Sequence, residues 1–201
     1  MAEGYAESPV RDEVVYQKKL RVAQEYFSPN MSVFEFACGT GRTAIAHAAH
    51  VNHVLATDFS ENMLKIAKEN ARVAGAENIT FELTSIEALD AGTKSFDAVI
   101  GLSVLHLLED KQRAIKKAHE LLKPGGVFIS STPCLSRSSF RFKCRRVIAH
   151  WFGVGPLVRF YSAAQLEEAV VEAGFAIERR WEPSSDPLKS LFLIARKCAE
   201  P

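Results

Sequence analysis

Cysteine is scarce in this sequence and nowhere clustered: Cys38, Cys134, Cys144 and Cys198 stand apart, with no C-x-x-C or other metal-ligand spacing. That distribution argues against a metal centre, and no metal site is expected. No positively charged, apolar leader opens the chain, so a reducing cytoplasm is the expected setting. Long hydrophobic runs are missing too, none approaching the roughly 20 residues of a membrane-spanning helix. Neither sign of charge dominates, and the formal net charge is +1. Such a balance gives no global drive toward nucleic acid or an anionic membrane, although it leaves room for local patches. Repeats and low-complexity tracts are likewise absent. The 201 residues, with 47% apolar content, suffice for a sizeable core and read most simply as one domain, 1–201.

The chain is organised around residues 33–45, VFEFACGTGRTAI. An apolar run ends in a small-residue turn and passes into Ala-rich sequence of helical character, which predicts strand, tight loop and helix N-terminus. Gly39 and Gly41 permit dihedrals that a Cβ obstructs, and the amides opening the next helix point into the same space. A nucleotide-like cofactor is the natural occupant. The spacing Gly39-x-Gly41-x-x-Ala44 also fits the dinucleotide fingerprint. Glu35 separates the two readings, because a carboxylate beside a pyrophosphate in a partly dry site is costly, whereas an ammonium suits it. Alternatively, Glu35 accepts hydrogen bonds from the loop's own amides. Both roles can coexist.

Ahead of that stretch, residues 1–9 are small and polar, and 10–27 mix apolar positions (Val14, Val15, Leu20, Val22, Ala23, Phe27) with charges as an amphipathic helix does. Pro29 stops it. A helix before the first strand has no crossover to make and is free to lie over the ligand end of the sheet as a lid, which makes Tyr16 and Lys19 candidate contacts. The alternative has Tyr16 at the helix edge and Lys19 solvated. Asp58 closes the second apolar run some 20 residues after the glycine loop, placed to grip two ribose hydroxyls. Its alternative role is a helix cap, which Ser60 fills more naturally. Alternation continues through strands at 79–83, 96–102 and 127–131, implying right-handed crossovers and a parallel sheet covered on both faces. Segment 134–160 breaks the pattern. From 134 it carries six Lys and Arg with several aromatics and no acid, and reads as a basic lid insertion for an anionic or amphiphilic acceptor, a membrane-surface contact, or a solvated helical lid. Ser162 to Gln165 is a capping box. The two runs after it, 175–181 and 191–195, are too close for a crossover helix and must form an antiparallel hairpin.

Taken together, Glu35-Phe36-Ala37-Cys38-Gly39-Thr40-Gly41, Asp58, Phe96-Asp97-Ala98-Val99, the Leu105-His106 turn, Leu121 to Gly126 and the terminal hairpin resemble the class I S-adenosylmethionine-dependent methyltransferases. The likeness is strongest to the small methyltransferase domain 11/25 enzymes that act on small molecules, lipids or quinones. It covers about 10–133 and 160–197, leaving the insertion outside. The resemblance implies an α/β fold, a Rossmann-like doubly wound sheet of seven strands in the order 3-2-1-4-5-7-6 with strand 7 antiparallel. It implies S-adenosylmethionine as cofactor and S-adenosylhomocysteine as product. Ala37, Gly39 and Gly41 would receive the methionine part, with Glu35 near its ammonium. Asp58 would hold the ribose, Phe59 and Met63 would flank the adenine, and Leu102 and Ser103 would lie near the sulfonium end. Ala37 replaces the family's first glycine. Ser85 stands where an aspartate often meets the adenine amino group, so base contact rests on Ser85 or the Ile86 amide, unless Ser85 only caps the turn after it.

These residues support methyl transfer to a small acceptor, with His106 as the candidate base and Tyr16, Tyr161 and His150 behind it. No nucleic-acid partner is expected, and the oligomeric state is not legible. A non-catalytic S-adenosylmethionine-binding protein is the competing reading. An NAD-dependent oxidoreductase fits the glycine spacing but not Glu35 or the hairpin.

Overall fold

The computed structural model describes residues 12–136, 157–183, 185–186 and 189–198. Helix α1 (Glu13–Gln24) precedes β1 (Ser32–Phe36), α2 (Arg42–Ala48), β2 (His53–Asp58), α3 (Glu61–Ala74) and β3 (Ile79–Leu83). Then come β4 (Phe96–Leu102), α4 (Lys111–Leu121), β5 (Leu122–Pro133), α5 (Ala163–Glu172), β6 (Phe175–Trp181) and β7 (Ser190–Lys197). The strands form one sheet in the order β3-β2-β1-β4-β5-β7-β6. Strands β1 to β5 pair in parallel, while β7 runs antiparallel to both β5 and β6. The expected α/β architecture and strand order are therefore observed.

Local chemistry sets the element ends. Ser60 accepts from the Met63 amide and starts α3, Gly75 ends it at φ 67°, and Ser162 with Gln165 forms the capping box of α5. Two boundaries differ from expectation. Helix α1 is held at Asp12, whose carboxylate accepts the Val15 amide, and it stops at Gln24, ahead of Pro29. Val14 faces solvent at 78% exposure, so it is not part of the apolar stripe. Strand β5 begins at Leu122, directly after α4, and Gly126 within it has a packing role: a Cβ there would lie 3.0 Å from the Asp97 carbonyl.

Two apolar layers sandwich the sheet. One face packs Phe34, Phe36, Phe96, Val99 and Phe128 against α4 and α5. The other packs Val33, Ala98, Ile100, Val127 and Ile129 with Ala23 of α1, Ala44 of α2 and Leu64 of α3. Each fully buried Phe or Ile contributes about 1.5–3 kcal/mol, enough to hold the strand ends fixed beneath the loops. Glu35 interrupts the second layer, in register with Ala56 and Ile100.

Candidate functional site

The loop from β1 to α2 is built from left-handed backbone at alternate positions: Ala37 at φ 53°, Gly39 at 55° and Gly41 at 75°. Glycine adopts this freely, whereas the Ala37 methyl costs about 1–2 kcal/mol. The Cys38 amide donates to the Thr57 carbonyl at 2.9 Å and the Gly41 amide to the Cys38 carbonyl at 3.0 Å. A Cβ on Gly41 would come within 3.0 Å of Ala67 and 3.3 Å of the Phe81 ring, so the loop lies tight on α3 and β3. Asn70 donates to the Thr40 carbonyl at 3.0 Å and fastens it from outside.

Two acids sit against this loop. Asp58, the last residue of β2 and 5% exposed, accepts the Gly39 amide through Oδ2 and the Ser60 amide through Oδ1, both at 2.9 Å. Each oxygen keeps a second lone pair for a further donor such as a hydroxyl. Ser60 fills the cap of α3, so Asp58 does not. Glu35 is 3% exposed, and its carboxyl accepts the Ala44 amide in the first turn of α2. Among the described residues its Oε2 is buried with no hydrogen-bond partner. Burial first, and the neighbouring Asp58 charge after it, push the Glu35 pKa up to about 8 against the Ala44 hydrogen bond. A carboxyl with an orphaned oxygen beside a second carboxylate is a place for a cation with donors to give. It is a poor place for a phosphate, since the loop's own acids already take the Gly39 and Ala44 amides.

Helix α1 crosses over this corner. The Tyr16 hydroxyl lies 3.1 Å from Thr43 Oγ1, and burial, followed by the nearby Glu35 charge, raises its pKa to about 12. The Arg42 guanidinium stacks 4.7 Å from the Tyr16 ring centroid and bonds both Glu13 oxygens at 2.7 and 2.8 Å. Lys19 is 9% exposed and donates from Nζ to Ser131 Oγ at 2.9 Å, so it is not solvated.

The other expected residues frame the strand tips. Phe59 and Leu83, 78% and 58% exposed, present bare apolar surface on the residue following Asp58 and on its β3 register partner. Met63, half-buried, starts the inner face of α3. Ser85 Oγ accepts the Ala88 amide at 3.3 Å and so caps its turn, while the Ile86 side chain is 2% exposed in the core, leaving only its backbone for a ligand. Leu102 is half-buried at the tip of β4, in register with Ser131. Ser103, exposed and left-handed at φ 56°, donates its amide to the Ser131 carbonyl at 2.7 Å. Backbone held in this region without glycine marks strain typical of ligand sites. His106 is half-buried in the turn after β4, where its carbonyl accepts the Arg159 amide at 2.8 Å. Tyr161 is half-buried with Lys111 4.4 Å over its ring. His150 and insertion residues 137–156 lie outside the described residues.

The structure thus gathers Tyr16, Glu35, Ala37, Gly39, Gly41 and Asp58 at one corner, with Leu102 and Ser103 on the adjoining β4 tip. Leu83, Thr43 and the buried state of Lys19 were not read from the sequence. No local motif marks them, because each acquires its place through a partner remote in the chain. Among the described residues no group of three or more His, Cys, Asp or Glu can hold a metal ion, and no helix is long and apolar enough to cross a membrane.

A family described as "Methyltransferase domain" matches residues 27–172. The chain is 28% identical over 179 residues to a demethylmenaquinone methyltransferase of Symbiobacterium thermophilum, covering 85% of this chain and 70% of that protein. It is 30% identical over 138 residues to a ubiquinone biosynthesis O-methyltransferase of Dinoroseobacter shibae, covering 66% of this chain and 55% of that one. Among solved structures, an S-adenosylmethionine-dependent methyltransferase from Mesorhizobium loti is 25% identical, with a TM-score of 0.71 over 89% of this chain and 96% of its own. With the sheet order, the glycine loop and the two loop-facing acids already in place, the chain belongs to the methyltransferase-domain family, a class I S-adenosylmethionine-dependent methyltransferase with S-adenosylmethionine as its cofactor.

Proposed function

We propose that this protein methylates a small, amphiphilic acceptor, quinone-related in kind, as a single domain in the cytoplasm. The names of the two relatives, one a demethylmenaquinone methyltransferase and the other a ubiquinone biosynthesis O-methyltransferase, support the acceptor class. The orphaned Oε2 of Glu35 carries the reading of the site, because a buried carboxyl beside Asp58 fits the ammonium of the methionine moiety and no phosphate. In this reading Asp58 accepts from the ribose hydroxyls with its remaining lone pairs, and Ala37, Gly39 and Gly41 let the backbone approach the methionine part. Phe59 and Met63 enclose the adenine, whose edge meets Ser85 or the Ile86 amide. Leu102 and Ser103 face the sulfonium end, and Tyr16 with α1 closes the corner.

S-Adenosylmethionine, when bound, supplies a methyl group already activated on sulfur. The chain is left to align the acceptor, exclude water and, for an oxygen or nitrogen acceptor, take up a proton. His106, in the turn after β4, is assigned that last task, and segment 134–160 the contact with an amphiphilic acceptor or the membrane surface that holds it. Calorimetry with S-adenosylhomocysteine and with NAD tests the cofactor, the former giving heat and the latter none. Transfer of label from methyl-labelled cofactor to demethylated quinone precursors tests the acceptor. A protein that binds the cofactor but transfers nothing to any small molecule in an extract would be a binding protein instead.

A further inference from the structure

The ammonium of Lys19 lies in an unusual position for a lysine. It reaches from α1 to the carboxyl end of β5, where Nζ is 2.9 Å from Ser131 Oγ and 3.9 Å from Asp186 Oδ2. Side-chain exposure is 11% for both Lys19 and Asp186. Ser131 pairs with Leu102, so Lys19 stands over the β4 and β5 tips, beside the corner formed by Glu35 and Asp58. Lysine has three donors. Among the described residues, Ser131 Oγ is its one hydrogen-bond partner, while Asp186 forms an ion pair with it at 3.9 Å and also accepts the Ser190 amide at 3.2 Å. Burial lowers the Lys19 pKa, with Asp186 and Asp12 opposing. A buried cation with donors to spare favours an acceptor that brings negative charge.

We infer that Lys19 anchors the methyl acceptor, and that this acceptor carries an anionic oxygen, a carboxylate or phenolate, held by the ammonium next to the β4 tip. The inference rests on the methyltransferase reading of the adjoining corner. It follows from charge: a sulfonium and an ammonium at the same end of the sheet repel, and an anionic acceptor between them is attracted by both. Asp186 offsets part of the ammonium charge, and a neutral acceptor leaves the rest of that repulsion in place. The competing role for Lys19 is a tether that fixes α1 to β5 and to the turn between β6 and β7.

Protein saturated with S-adenosylhomocysteine is titrated with acetate, benzoate and salicylate and with the matching amides, acetamide, benzamide and salicylamide. At least one carboxylate should bind tenfold or more tightly than its amide. Lys19→Met should reduce that preference to less than twofold, and Lys19→Arg should restore it. Both variants should keep S-adenosylhomocysteine affinity within threefold of the unaltered protein. The inference is overturned if no carboxylate outbinds its amide, if the preference survives Lys19→Met, or if Lys19→Met loses cofactor affinity together with the preference, the mark of a tether. Absence of S-adenosylhomocysteine binding by the unaltered protein would instead defeat the reading beneath, and this one with it.

Discussion

Raising the pH from 6 to 8 should tighten the binding of S-adenosylhomocysteine, and replacing Glu35 by glutamine should abolish that response. The free protein holds the Glu35 carboxyl in a dry site next to Asp58, with a pKa of about 8, so at neutrality it is largely protonated. A ligand ammonium beside Oε2 favours the carboxylate, and binding must then expel the proton. Each pH unit between the bound and free pKa values changes the affinity about tenfold, or 1.36 kcal/mol. Across pH 6 to 8 the gain reaches up to about 50-fold, about 2.3 kcal/mol, levelling off above 8. Calorimetry at pH 7 in buffers of different ionisation enthalpy should count about 0.9 proton released per complex, as a pKa of about 8 requires. Affinity that stays flat over this range, with no proton release and no difference in Glu35→Gln, would refute the reasoning. Stability gives the complementary sign. The folded pKa lies above the ordinary 4.5, so the native state keeps its proton longer and stability falls as pH rises from about 4.5 to 8. Glu35→Gln should remove that fall in denaturant titrations.

Other outcomes follow from the same geometry. Asp58→Ala should weaken S-adenosylhomocysteine binding by about 1–3 kcal/mol, read by calorimetry, since a charge-assisted acceptor is lost and two loop amides are released. Gly41→Ala should destabilise by about 1–3 kcal/mol in urea titrations, because the methyl meets Ala67 and Phe81 at a positive φ. Ala37→Gly should stay within about 1 kcal/mol of the unaltered protein, relief of left-handed strain offsetting the added freedom of the unfolded chain. His47 is 1% exposed and burial depresses its pKa to about 4, below the ordinary 6.5, so its contribution is complete above pH 6.5 and lost as pH falls toward 4. Melting temperatures over that range should drop less steeply in His47→Leu.

How far the sequence exposes this molecule depends on how local each signal is. The glycine loop, the Ser60 cap, the Gly75 stop and the Ser162–Gln165 box are short-range chemistry, and the structure has all of them. The antiparallel hairpin was legible because nine intervening residues rule out a crossover helix. Asp58 was legible as a candidate ligand residue by its spacing from the loop, yet its bond to the Gly39 amide spans 19 positions and was not. Lys19 to Ser131 spans 112 positions, and an amphipathic pattern cannot tell a buried lysine from a solvated one. Ser85 stayed open in the sequence, since a serine ahead of a turn reads both as a base contact and as a cap, and the structure has it accepting the Ala88 amide of that turn.

The reversed direction of β7 also bears on how such a protein changes its specificity. With β6 parallel to β5 and β7 running back between them, the turn that joins them lies at the same end of the sheet as the glycine loop and the β4 tip. Asp186 in that turn already approaches Lys19. Insertions, deletions or grafts there can reshape the wall around an incoming molecule while the seven-strand ladder and its two apolar layers stay untouched, giving selection or a protein engineer a handle that leaves folding and cofactor capture alone.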